Sequence, residues 1–402
     1  MTTAYPGYQP RHRPVRSARS RSDDAPEAMQ RALDHGADEL TQPFVGVTTD
    51  GVAVPNLYPA RATGVSTRPI VDAAQAFLSS LSAEQRDSAL FPIATDEWRR
   101  WHNTHPNFMR HGLVLEDLDD TQREAALALL RASLSAAGFD TARGIMQLNH
   151  TVGELTDSWD EYDEWLYWIS IMGTPSADQP WGWQFDGHHL NVQCFILGDQ
   201  VVMTPTFMGS EPVVADAGKY AGIRVFEAEE RTGLAMAQSL SAEQLAAATI
   251  DPASLFGGFL PNPISPFGDR LQASSGNDNL QLPHAGIRAD ALSAGQQELL
   301  GEVIGTYVNR LPAGHADEWS RAIQAKLPDT YLAWIGDVDA DSVFYYRVHS
   351  PVLLIEFDHV RGIAFDNDQP SRQHIHTIVR TPNGNDYGKD LLRQHYAEVD
   401  HR

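Results

Sequence analysis

Two runs of β-forming residues, Leu190 to Leu197 and Gln200 to Met208, are separated only by Gly198-Asp199. A turn that tight joins neighbouring strands and makes them antiparallel, because a parallel pair needs a crossover of a dozen residues or more. Two further blocks, Ser342 to Asp358 and His374 to Thr381, are rich in β formers, and Pro382-Asn383-Gly384 stops the second. Helical segments stand around these blocks without regular strand–helix alternation. The expected class is therefore α+β: a mostly antiparallel sheet flanked by capped amphipathic helices, in one large domain over residues 28–402.

The helix starts share one device. Leu81-Ser82-Ala83-Glu84-Gln85, Leu118-Asp119-Asp120-Thr121-Gln122, Leu240-Ser241-Ala242-Glu243-Gln244 and Leu292-Ser293-Ala294-Gly295-Gln296 each set Ser or Asp at an N-cap, Gln three residues on and Leu just before. They read as reuse of a good start signal, not as a repeat architecture. Pro and Gly punctuation from Phe256 to Pro283 predicts a long loop.

Composition then limits the chemistry. A formal charge of −23 works against binding nucleic acid or an anionic membrane surface, so neither partner is expected. No run of about eighteen apolar residues occurs, so no spanning helix is expected either. Residues 1–27 carry Arg11, Arg13, Arg16, Arg19 and Arg21 among Pro, Ser and Gly, with no apolar stretch after them. They read as a disordered basic tail rather than a complete secretion signal, and a cytoplasmic protein is expected. One cysteine, Cys194, excludes an internal disulfide and a thiolate cluster; in an apolar strand it reads as inert. With 16 histidines in the chain, any metal must be held by imidazole and carboxylate.

Three segments carry candidate ligands. Pro180-Trp181-Gly182-Trp183 leads through Gln184, Phe185 and Asp186 to Gly187-His188-His189-Leu190. Adjacent strand residues point to opposite faces, so one of His188 and His189 is expected as a ligand and the other as a hydrogen-bonded partner. In His374-Ile375-His376 the two imidazoles share a strand face about 7 Å apart by backbone rise, a spacing that suits two ligands of one ion. Glu356 and Asp358 share a face of an apolar strand, where a carboxylate is costly to bury unless a cation or donors meet it. Together these predict one divalent transition metal (Fe, Zn, Mn or Cu) on His188 or His189, Glu356, His374 and His376. Asp358, Asp186 and Glu211 are the candidate catalytic acids or bases. Trp181, Trp183, Tyr345, Tyr346, Arg347 and Arg380 are the candidate substrate contacts, the indoles as an apolar wall and the arginines as carboxylate clamps.

The segment from Pro180 to Leu190, with Tyr345-Tyr346-Arg347, Ile355-Glu356-Phe357-Asp358 and His374-Ile375-His376-Thr377, resembles a bacterial and fungal family classed as a domain of unknown function. The resemblance extends to Thr204-Pro205-Thr206-Phe207-Met208-Gly209, Ala333-Trp334-Ile335-Gly336 and Asp386 to Leu392. It implies one continuous family domain and carries no established activity. Where the family pattern has Asn before His-Ile-His, this chain has Gln373. From the residues alone the first expectation is a mononuclear metal-dependent oxidoreductase, an oxygenase acting on a small organic substrate in a Trp-lined pocket. A zinc hydrolase, with a carboxylate as general base, is nearly level with it. A non-catalytic binding protein with a buried histidine network comes third.

Overall fold

The computed structural model describes residues 8–11, 17, 19, 27–104, 111–250 and 270–400. Its helices are α1 (Glu27–Leu40), α2 (Arg68–Ser80), α3 (Ala83–Ala89), α4 (Asp120–Ser133), α5 (Ala136–Thr156), α6 (Glu227–Gln238), α7 (Ala242–Ala248), α8 (Ala294–Val308), α9 (Ala313–Gln324) and α10 (Lys389–Asp400). The strands are β1 (Leu90–Phe91), β2 (Leu113–Val114), β3 (Tyr167–Gly173), β4 (Trp181–Gly187), β5 (Leu190–Leu197) and β6 (Gln200–Val202), then β7 (Thr206–Ser210), β8 (Ile287–Arg288), β9 (Tyr331–Gly336), β10 (Phe344–Ser350), β11 (Leu353–Arg361) and β12 (Pro370–Arg380). They form one sheet in the order β1-β3-β4-β5-β7-β12-β11-β10-β9-β8, with β2 also on β3 and β6 on β5. Every named strand pair except β1 with β3 is antiparallel. The α+β class and the single domain stand.

The Gly198-Asp199 turn does join β5 to β6, but the second run breaks at Met203–Pro205 before continuing as β7. The block from Ser342 to Asp358 is itself a hairpin, turning at Pro351-Val352 between β10 and β11. Part of the segment read as a long loop, 256–269, lies outside the described residues, as does most of the basic tail. Of that tail, Pro10 bridges Phe365, and the Arg11 amide donates to the Ala364 carbonyl at 2.7 Å. No helix of the described residues is long and apolar enough to cross a membrane.

All four capping boxes form. The reading of them as unrelated start signals does not survive. Gln85 and Gln122 exchange amide hydrogen bonds, and Gln244 and Gln296 repeat the arrangement. Each pair ties a short helix (α3, α7) to a longer one (α4, α8) in corresponding places. After α3, β1 pairs parallel with β3; after α7, Thr249 bridges parallel to Trp334 on β9. Gly112, φ +81°, precedes β2, and Gly286, φ +95°, precedes β8. A Cβ on either would meet a facing strand carbonyl, Ile169 O at 2.3 Å or Leu332 O at 2.1 Å. The hairpins β3-β4-β5 and β9-β10-β11 correspond residue for residue, so that Gln184↔Gln193 in one matches Arg347↔Glu356 in the other. The sheet is thus two structural halves meeting at β7 and β12, which keep the same residue types at the helix caps and at Gly112 and Gly286.

The two sheet faces differ in kind. Trp183, Phe185, Tyr346, Phe357 and Ile355 face the helices: the Trp183 indole donates to Ser133 of α4, and Tyr346 meets Tyr307 of α8. Phe357 and Tyr346 stack with centroids 4.9 Å apart. Each such buried side chain contributes about 1.5–3 kcal/mol of apolar burial. The opposite face carries Ser170, Gln184, Gln193, Asp186, Asn191, Arg347, Glu356, Asp358, His376 and Arg380, all buried. An antiparallel sheet ordinarily leaves its polar face to water. Here the segment around Trp98 and Trp101, residues 270–279 and the turn at Asp386–Gly388 cover it: Gln184 donates to Trp98 O, and Arg380 to Ala273 O. The three histidines that converge lie at this buried polar surface.

Candidate metal centre

Two residues, His188 and His189, form the turn between β4 and β5, with Gly187 opposite Leu190. His189 adopts φ +62°, a left-handed conformation costly for most side chains but met more often in histidine. Its amide donates to Asn103 O at 3.2 Å and its carbonyl accepts from Gly209 N at 2.8 Å, which fixes the turn against β7. Being in a turn rather than a strand, the two rings are not forced to opposite faces. They stack with centroids 3.8 Å apart and an interplanar angle of 25°. His188 bonds Asn149 Oδ1 through Nδ1 at 2.8 Å, and His189 turns toward β12.

On β12, His374 and His376 lie two residues apart on one side, their rings nearly perpendicular at 88°. Directly across from His376 stands Gly209, where a Cβ would meet the imidazole Cδ2 at 2.8 Å. The missing side chain makes room for the ring, and Phe207 packs edge-on against it at 5.1 Å. The Nε2 atoms of His374 and His376 are 2.9 Å apart, and those of His376 and His189 are 3.1 Å apart. His189, His374 and His376 therefore present ligand atoms that all lie within 4.8 Å of one another, and all three residues are buried.

Protons cannot satisfy this arrangement. His374 Nδ1 lies 2.7 Å from Arg361 O, an acceptor only, so the ring proton sits on Nδ1 and Nε2 carries a lone pair. With neutral rings, a protonated His376 Nε2 donates to His374 and has no lone pair to offer His189, whereas an unprotonated one sets its lone pair against that of His374. A cation at the common centre satisfies all three. With metal–nitrogen bonds of about 2.0–2.1 Å, ligand nitrogens stand about 2.9 Å apart at right angles and about 3.4 Å apart in a tetrahedron. The 2.9 and 3.1 Å spacings fall in that range, and the third pair lies within 4.8 Å. Burial, with the neighbouring imidazoles after it, holds the pKa of both His189 and His374 well below the ordinary histidine value, so both rings are neutral and ligand-ready near pH 7. Behind His374, Glu211 Oε2 lies 3.5 Å from Nδ1. Its carboxylate accepts from the amides of Ile363, Ala364 and Phe365, and burial outweighs those bonds to push its pKa up to about 7. Glu211 thus braces the ring on the side away from the trio.

Other predicted residues fall elsewhere. Glu356 does not reach the trio: it accepts from the amides of Gln272 and Ala273 at 3.0 and 2.8 Å and from Tyr345 Oη at 2.6 Å. Asp358 shares the sheet face of His376 but accepts from the Arg270 amide at 2.6 Å. Both carboxylates are met by donors from a crossing segment, which answers their burial cost without a metal. Arg380 donates to Ala273 O, Asp278, Asp386 and Ser274 O, so its guanidinium is already spent on the fold. Trp181 and Trp183, fully buried, belong to the apolar face and form no wall at the trio; alternation along β4 sends Gln184 and Asp186 the other way. Tyr346 likewise faces the core, whereas Tyr345 is on the polar face. Asp186 is buried at the foot of the hairpin, 3.4 Å from the His102 amide. Sequence reasoning missed Gly209, Asn103 and the Arg361 carbonyl, which act by backbone or by position and leave no residue-type signature, and the Asn149 side chain, which reaches His188 from a distant helix.

The family described as a protein of unknown function (DUF3500) matches residues 63–389. The chain belongs to this family. The match spans both structural halves and all three converging histidines, so the repeat and the candidate centre lie within the DUF3500 domain itself. Neither a curated protein nor a solved structure matches the chain.

Proposed function

We propose that this DUF3500 protein is a mononuclear metal-dependent enzyme in which His189, His374 and His376 hold one divalent transition ion, its remaining positions open to water and a small organic substrate. The observation that carries this reading is the meeting of three Nε2 atoms at 2.9 and 3.1 Å, a packing in which neutral rings make at most one full hydrogen bond across the two contacts. The oxidative reading drew on a carboxylate ligand, since two imidazoles and one carboxylate are the donor set of non-haem iron oxygenases. Glu356 is engaged elsewhere. Three neutral imidazoles leave the ion's double charge uncompensated, and such an ion lowers the pKa of a bound water toward 7. Hydrolysis or hydration is therefore the reading preferred here. Of the three candidate carboxylates, Asp358 is held by Arg270 and Glu211 lies behind His374. Asp186 is the one assigned to proton transfer.

Metal analysis of protein purified without added metal, paired with hydrolysis of 4-nitrophenyl acetate, tests the proposal. Stoichiometric zinc, with turnover lost on chelation and in His376→Ala, supports it. Iron or copper with oxygen consumption moves the assignment to oxidation, and absence of bound metal overturns both.

A further inference from the structure

On the same sheet face, two strands from β12, β10 carries Arg347 and His349. Arg347 is 3% exposed and His349 1%. Among the described residues Arg347 makes no hydrogen bond and no ion pair: Nε is buried without a partner, as are His349 Nδ1 and His284 Nε2. His284 approaches from the loop before β8 and packs edge-on against His349, centroids 4.5 Å apart. Glu356 stands directly opposite Arg347 in register but spends its oxygens on the Gln272 and Ala273 amides and on Tyr345. The other half of the molecule shows the contrast. There the corresponding pair is Gln184 and Gln193, which close on each other at 2.6 Å. The guanidinium shares its charge with Glu356, but none of its N–H groups has an acceptor among the described residues, and a buried donor left unsatisfied costs about 1–3 kcal/mol.

We infer that Arg347, His349 and His284 form a binding site for an oxyanion, the carboxylate or phosphate group of a small ligand. The site is donor-rich: a guanidinium fork fits two oxygens of such a group side by side, and each imidazole brings a nitrogen with no other partner. Burial first lowers the pKa of both imidazoles, followed by the Arg347 charge at His284 and by the His284 ring and then Arg347 at His349, so they meet the ligand as neutral hydrogen-bonding groups. Gly286, whose backbone lies against Leu332 O, holds the His284 loop at this distance from β9. The site is distinct from the histidine trio and stands or falls separately from the metal assignment.

The test is thermal unfolding of the full chain with inorganic phosphate or acetate, at ionic strength matched with chloride. At least one anion is expected to raise the midpoint saturably in the wild type and equally in His376→Ala, which separates the effect from anion binding at a metal. Arg347→Gln, which installs the residue of the other half, is expected to abolish that rise without lowering the anion-free midpoint. His349→Asn is expected to weaken the apparent affinity about tenfold. A rise with phosphate alone assigns a phosphorylated ligand and with acetate alone a carboxylic one. No rise with either anion overturns the proposal. So does a rise that survives Arg347→Gln, or an Arg347→Gln protein less stable than wild type without anion, which would make the arginine a structural one.

Discussion

At the scale of single residues, the centre separates two neighbours that the sequence leaves equivalent. His188 and His189 are adjacent, buried or half-buried and stacked, yet only His189 turns its Nε2 to the C-terminal pair. His189→Ala should therefore lose the metal, whereas His188→Ala should keep at least half an equivalent; metal content after gel filtration decides. The sequence showed that one of the two would differ from the other but not which, because the choice is made by the Asn103 and Gly209 backbone contacts. A second residue-scale prediction concerns Glu230 of α6. Burial opposes its ionisation, but a hydrogen bond from His359 at 2.9 Å and a two-pronged ion pair with Arg372 at 2.6 Å hold its carboxyl down to about 2. A carboxylate whose folded pKa is depressed contributes stability above its unfolded pKa, and that contribution fades as pH falls from about 4.5 to about 2. Glu230→Gln should cost about 1–3 kcal/mol at pH 7 by urea denaturation and progressively less below pH 4.5. A penalty independent of pH would refute the ion-pair account.

At the scale of elements, the site depends on close approach between β7, β12 and one hairpin turn. Gly209→Ala places a methyl 2.8 Å from the His376 ring and 2.8 Å from the Ile375 carbonyl, so the ring and its strand must shift, and metal affinity should fall about 10–100-fold while the far-ultraviolet circular dichroism is unchanged. Unaltered affinity would show that the ring is not confined by β7. His189→Gly removes the ligand but suits the left-handed turn, so its metal-free midpoint should not fall even though binding is lost. Elements were legible where pattern is local. The capping boxes mark the starts of α3, α4, α7 and α8, and the Gly198-Asp199 turn marks the β5–β6 hairpin. The tight β4–β5 turn was not legible, because Gly187-His188-His189-Leu190 lacks the usual turn residues and a histidine takes the left-handed position. Nor was the division of faces along β4. Trp181 and Trp183 look like a pocket wall in sequence but alternate onto the helix side, and Gln184 and Asp186, less conspicuous, take the polar side.

At the scale of the molecule, the two structural halves explain why such a histidine group occurs once among the described residues. His189 comes from the hairpin of the first half and His374 and His376 from the last strand of the second, so an ion would tie the halves across the β7–β12 seam. The corresponding turn of the second half is Pro351-Val352, which carries no ligand. The repeat escaped the sequence because the paired positions have diverged in type (Gln184 against Arg347, Gln193 against Glu356) while their geometry is kept. An ion bound only by the folded chain stabilises it by mass action, by about 2.7 kcal/mol at a hundredfold excess over Kd. Chelation should accordingly lower the thermal midpoint of the wild type by several degrees and leave that of His376→Ala unmoved; an equal shift in both would place the ion elsewhere.

The most direct test of the central claim is elemental analysis of wild type, His189→Ala, His374→Ala and His376→Ala, each purified without chelator, then exposed to a small excess of Zn(II) over chain and gel-filtered. The account predicts about one equivalent of transition metal per chain in the wild type and less than a tenth in each variant. A wild type that stays metal-free, or any of the three variants that retains a full equivalent, would contradict it.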